Sequence, residues 1–191
     1  MGTTTSIAPL PKRAHPLVFG VVLFLASELM FFAALFAAYY NLRTLAPIWP
    51  PADVHLDTLQ ATVGTIVLAA SSITTMYALK AIDDESYAKA RIALSITILL
   101  GTTFLLMAIR GWLHNDFSIR SHAYGSLFYA MTGFHALHVT VGLVLLTGLL
   151  LSPWARGFVG SGRAGAEGIG YYWHFVTIVW LGIYATIYWL R

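Results

Sequence analysis

The sequence contains no cysteine, which excludes disulfides, thiolate metal sites and a cysteine nucleophile. Charge is the second scarcity. Only 10% of the 191 residues are Asp, Glu, Lys or Arg, against roughly 25% in an average soluble domain. That is too few to cover a water-facing surface. The net charge of +3 is small, and no basic cluster is interleaved with aromatics, so nucleic-acid binding has no support. A cleavable signal peptide is not expected either. The first apolar run, from about Leu17, is too long for an h-region and lacks a small-residue cleavage site. Internal repeats and low-complexity tracts are also missing.

What is abundant is apolar side chain, 58% of residues with a mean hydropathy of +0.73. A bilayer core about 30 Å thick needs about 20 apolar residues of helix. Five stretches meet that need, at about 16–40, 59–79, 92–113, 124–152 and 170–190. The expected architecture is an all-α membrane protein, a five-transmembrane-helix bundle in one domain over 1–191. The segment 45–57 holds three prolines, which exclude a helix interior. The stretch 152–168, rich in Gly and Arg, reads as a flexible return loop. Lys and Arg prefer the cytoplasmic side. Lys12, Arg13, Lys80, Lys89, Arg91, Arg156 and Arg163 fall on one side, and Arg43, Arg110, Arg120 and Arg191 on the other. This bias predicts a cytoplasmic N-terminus and an outside C-terminus.

Three places break the apolar pattern. Glu28 lies about halfway along the first span, where an ionisable group costs about 2.5–3.5 kcal/mol on insertion scales unless neutral, paired or wetted. It reads either as a protonated group satisfied by a neighbouring helix or as a part of proton movement. In the fourth span, His135 and His138 are three apart and project from one helical face. Counted from Tyr124 they lie about 15–20 Å deep, at 1.5 Å per residue, a depth similar to that of Glu28. A Glu28–histidine contact would satisfy two costly groups together. His-x-x-His supplies two metal ligands and no third donor stands at a motif spacing, so interhelical hydrogen bonding is the plainer reading. In the fifth span, His174 lies among Tyr171, Tyr172 and Trp173, the composition of an interfacial aromatic belt. His174, Thr177, Leu181, Tyr184 and Tyr188 share one face. Arg156, Arg163 and His174 are candidates for a lipid headgroup near the inner surface. Small-residue seams for close packing are expected at Ala33, Ala34, Ala37 and Ala38, and along Thr62, Thr65, Ala69, Ser72 and Met76.

SELMFF at 27–32, AYGSLF at 123–128, TGFHALHVTVG at 132–142 and YWHFVTIVW at 172–180 resemble subunit III of cytochrome c oxidases, in the family's order and spacing. The likeness covers nearly the whole chain from the first span. It is closest to the short five-helix bacterial form and, at 49–51 and 70–74, to actinobacterial examples of the aa3 type. The resemblance implies a supporting subunit of the bacterial plasma membrane that holds no redox cofactor. Haem a and copper would belong to partner subunits I and II, with subunit IV and a bc complex as further expected partners. It implies packing on subunit I, bound phospholipids and sustained proton uptake. Glu28 matches the family's buried, carbodiimide-reactive glutamate. His135 and His138 match its paired histidines, His174 its YWH histidine, and Glu167 an acid shortly before that motif. Two departures stand out. Thr177 replaces the Asp of YWHFVD, and Met107–Arg110 lies where many members carry Gln-x-x-Glu, so the acid is gone. These losses fit a divergent branch, such as a quinol oxidase subunit or a nitric-oxide-reductase-associated homologue. Outside the family, an independent proton transporter or a haem protein ligated by His135 or His138 are the rival classes.

Overall fold

The computed structural model describes residues 15–152 and 163–190. Five helices run in order: α1 Pro16–Leu45, α2 Thr58–Asp83, α3 Tyr87–His114, α4 Ala123–Leu151 and α5 Arg163–Tyr184. A wider π-helical turn, Ala185–Trp189, continues α5.

The helices extend past the apolar stretches to the residues that cap them. Pro16 occupies the first turn of α1, where its missing N–H costs nothing. Asp57 accepts the Gln60 N–H at 2.9 Å to start α2. His122 Nδ1 accepts the Gly125 N–H at 2.8 Å to start α4. The α2–α3 turn closes by Ser86 N–H to Ala81 C=O (2.8 Å) and Glu85 N–H to Ile82 C=O (3.1 Å), the double closure that ends many helices. It holds Glu85 at φ 55°.

The largest departure from expectation is the start of α5. Residues 163–168, read above as loop, are helical. Small side chains explain it. Ala164, Gly165, Ala166 and Gly168 are buried, and a Cβ at Gly168 would lie 3.2 Å from Val21 of α1. Glycine here lets helices approach, rather than ending one. Arg163 Nε also meets Asp83 Oδ1 at 3.0 Å, tying this end to the close of α2.

α5 packs on α1, α2 and α4, while α2 pairs with α3, α3 with α4, and α1 with α4. Trp173 is the centre of the core, fully buried. A Cβ at Gly101 of α3 or Gly142 of α4 would fall 2.7 Å from its ring, so both positions need glycine for close approach. Four helices, α1 to α4, are long and apolar enough to cross a membrane. The α1 alanine seam is not used inside this chain: Ala33, Ala34 and Ala37 are exposed and only Ala38 is half-buried.

Candidate functional site

Glu28 of α1 and His138 of α4 meet, Oε2 to Nε2 at 2.9 Å. Twelve residues of α1 precede Glu28 from Pro16, about 18 Å at 1.5 Å each, so the contact lies well inside the helical layer. The other nitrogen of His138, Nδ1, is 2.7 Å from the Phe134 carbonyl one turn back. A carbonyl only accepts, so Nδ1 carries a hydrogen. Nε2 then either accepts the carboxyl proton of Glu28 or, as imidazolium, donates to its carboxylate. In both arrangements the pair has no net charge and one shared proton. That is the condition under which two ionisable groups are tolerated at membrane depth.

Neighbouring groups hold the pair in place. The Tyr172 hydroxyl donates to the His138 carbonyl at 3.1 Å. Phe32 lies edge-on to the imidazole, with ring centroids 5.0 Å apart. His138 also borders a groove of about 370 Å3 between α1, α4 and α5, walled mainly by Leu17, Val21, Leu137, Val141 and Ile169.

His135 goes elsewhere. Its ring lies between Phe104 of α3 and Trp180 of α5, with centroids 5.9 and 5.0 Å away. It is fully buried, and neither nitrogen has a hydrogen-bond partner among the described residues. The expected common face therefore divides. Positions three apart differ by about 60° around a helix of 3.6 residues per turn, enough for neighbouring helices to claim one histidine each.

Along α5, His174 Nδ1 is 2.5 Å from the Ser72 hydroxyl. Trp180 Nε1 donates to Thr65 at 2.9 Å, and the Tyr184 hydroxyl is 2.7 Å from that of Thr62. Trp173 is a correction: instead of anchoring at a lipid interface it is core, and its Nε1 donates to Ser71 at 3.1 Å. Burial of an indole requires a partner for the N–H, and Ser71 supplies it. Thr177, standing where the family pattern has Asp, turns its hydroxyl back to the Trp173 carbonyl at 3.0 Å. Arg163 is shared by Asp83 (3.0 Å) and Glu167 (3.7 Å), so a lipid phosphate there competes with two carboxylates. Arg156 lies outside the described residues. Sequence reasoning missed Tyr172 and Ser71 as holders of the site. The trace of Ser71 is that Ser and Thr recur on α2 opposite the Trp, His and Tyr of α5, whereas Tyr172 bonds a backbone carbonyl of α4, which no residue type signals.

The family model for cytochrome c oxidase subunit III matches residues 11–191. The chain belongs to this family. The probable cytochrome c oxidase subunit 3 of Nocardia farcinica (strain IFM 10152) is 40% identical over 186 residues, covering 94% of this chain and 91% of that protein. Its counterpart in Mycobacterium tuberculosis (strain ATCC 25618 / H37Rv) is 39% identical over 184 residues, with the same coverage. Cytochrome c oxidase subunit 3 of Oryctolagus cuniculus is 38% identical over 179 residues, 90% of this chain but 68% of that protein. This chain thus has the length of the short bacterial relatives. Subunit III of the haem-copper oxidases is part of an oxidoreductase complex of the respiratory chain, and the membrane-length helices fit that setting. Among the described residues no three His, Asp or Glu side chains converge as a metal site.

Proposed function

We propose that the chain is the non-catalytic subunit III of an aa3-type cytochrome c oxidase in a bacterial plasma membrane. It packs on subunit I, binds lipids between its helices and sustains proton uptake during oxygen reduction. Haem a and copper reside in subunits I and II. The observation that carries this reading is the match to the family from residue 11 to 191, and the 2.9 Å contact between Glu28 and His138 supports a part in proton uptake. α5 is the fifth span. Its 22 residues extend about 33 Å at 1.5 Å each, and helices able to cross a membrane surround it. The N-terminus is cytoplasmic and the C-terminus outside, as the Lys and Arg distribution favours. Cytochrome c as electron donor, rather than quinol, is favoured by relatives that carry the cytochrome c oxidase name at about 40% identity.

The test is a mild-detergent pull-down of the tagged chain, with visible spectra and partner identification. Co-purification with a haem-bearing subunit is expected, and recovery of the chain alone overturns the reading. In the assembled oxidase, Glu28→Gln keeps a hydrogen bond to His138 but removes the shared proton. Turnover that decays faster than wild type supports a part in proton uptake. Full turnover, pumping and longevity assign Glu28 to packing.

A further inference from the structure

The start of α4 is capped by a histidine, a position where Ser, Thr, Asp and Asn are the usual choices. The Gly125 N–H donates to His122 Nδ1 at 2.8 Å. A ring nitrogen accepts a hydrogen bond only when it carries no proton, so this cap exists only while the imidazole is neutral. The ring hydrogen then sits on Nε2, which is buried and has no hydrogen-bond partner among the described residues. Asp53 Oδ2 lies 3.9 Å from Nε2. That is too far for a hydrogen bond, but near enough for an ion pair once the ring is charged.

The surroundings are built closely around this ring. A Cβ at Gly125 would fall 2.5 Å from the Ser118 carbonyl oxygen and 3.4 Å from His122 Nδ1, so glycine lets the turn and the histidine reach the helix end. Phe117 and Tyr124 set their rings beside the imidazole, with centroids 5.6 and 6.0 Å away. Asp53, from the segment 46–57, is the carboxylate that faces it, and Arg120 is the nearest cation along the chain. A positive ring is opposed by the positive end of the α4 dipole and attracted by Asp53, whose exposed side chain has room to close the gap. The same two segments meet a second time, His55 Nδ1 to Asp116 Oδ2 at 3.8 Å.

We propose that His122 is a two-position proton switch: neutral, it caps α4 through Nδ1; protonated, it gives up the Gly125 N–H and pairs with Asp53. The cap is complete at high pH and is lost as pH falls. Acid thereby moves the hold on the segment 115–122 from α4 to the segment 46–57. His55 and Asp116 act in the same direction, since both contacts become ionic only when the histidine is charged. Histidine is the side chain whose ordinary titration falls between about pH 5 and 8, and α4 is the helix that carries His135 and His138. In the orientation of the proposed function this end faces outside, the side that a proton-pumping complex acidifies. The exchange of partners itself does not depend on that orientation.

The test is amide exchange in the first turn of α4 in the assembled oxidase, corrected for the pH dependence of intrinsic exchange. Protection at Gly125 is expected to fall about fivefold between about pH 8 and pH 5, the usual worth of an N-cap. His122→Asn, a cap that does not titrate, is expected to keep its protection across that range, and His122→Ser serves equally if the Asn variant does not assemble. Asp53→Asn leaves the cap in place but removes the partner of the cation, so the loss of protection is expected to move to lower pH. Wild-type protection that does not change with pH, an equal loss in the non-titrating cap variant, or an Asp53→Asn profile that superimposes on wild type overturns the proposal. Recovery of the wild-type chain without a haem-bearing partner counts against the proposed function alone, and the same exchange profile is then read on the chain by itself.

Discussion

α1 and α5 divide the work of this bundle in opposite ways. Two of the 30 residues of α1 are buried, against 13 of the 22 in α5. Yet α1 is apolar enough to cross a membrane and α5 is not counted among the helices that are. In lipid this inversion is expected. Hydrocarbon tails are as apolar as leucine, so there is no hydrophobic drive to hide apolar residues, and interior helices are held by small residues, packing and hydrogen bonds. α5 contains four glycines and the ionisable Arg163 and Glu167, which lower its hydropathy while fitting it to the centre. α1 turns Phe19, Leu23, Leu29 and Met30 outward, toward lipid or toward the partner subunits of the proposed complex.

The strongest way to break this comparison is to truncate one side chain on each helix. Trp173→Ala on α5 is expected to destabilise the chain by about 3–5 kcal/mol, as for other large buried aromatics. Met30→Ala on α1, at a site 75% exposed, should change it by less than about 0.5 kcal/mol. Unfolding of the isolated chain in mixed micelles measures both. Equal losses would show that α1 is as central as α5. Next in size is Gly142→Val, which sets a branched side chain against the Trp173 ring. Overpacking of this kind costs about 1–3 kcal/mol and should red-shift or broaden the tryptophan emission as the ring is displaced.

The histidines sharpen the comparison further. His138→Phe leaves the Glu28 carboxyl without its partner and should cost about 1–3 kcal/mol. His135→Phe replaces an imidazole that has no protein hydrogen bond with a ring suited to its aromatic slot, so stability should hold or rise. If His135→Phe instead abolishes oxidase turnover while leaving the fold intact, that histidine has a role beyond packing. The smallest effect is expected at the α2–α5 seam. Ser72→Ala removes the partner of His174 and should cost about 0.6 kcal/mol, the average for a hydrogen bond between membrane helices, read in the same unfolding assay.

The helices that face outward were the legible ones. Their apolar runs exceed 18 residues and need no partner to be recognised, and their ends moved only as far as the nearest cap. At 163–168 the same alphabet of Gly and Ala served two meanings. In isolation it reads as a loop; beside Val21 and Leu17 it is the thin face of a packed helix. Trp173 was misplaced for a related reason, because a tryptophan near a span end looks interfacial until a serine on another helix is known to meet its N–H. The Glu28 contact was within reach, since depth along a helix follows from residue count. What depth cannot give is azimuth, and azimuth sent His138 to α1 and His135 to α5.

The seam between α2 and α5 has one more consequence. Thr62, Thr65 and the adjacent Ser71 and Ser72 along α2 meet Tyr184, Trp180 and the adjacent Trp173 and His174 along α5, in opposite chain order from one turn to the next. Such a ladder records a single antiparallel register. A slip of one helical turn, about 5.4 Å, parts all four of these pairs together, so they favour the seating seen here. The seating of α5 fixes the height of Tyr172, and through the His138 carbonyl the height at which the imidazole meets Glu28.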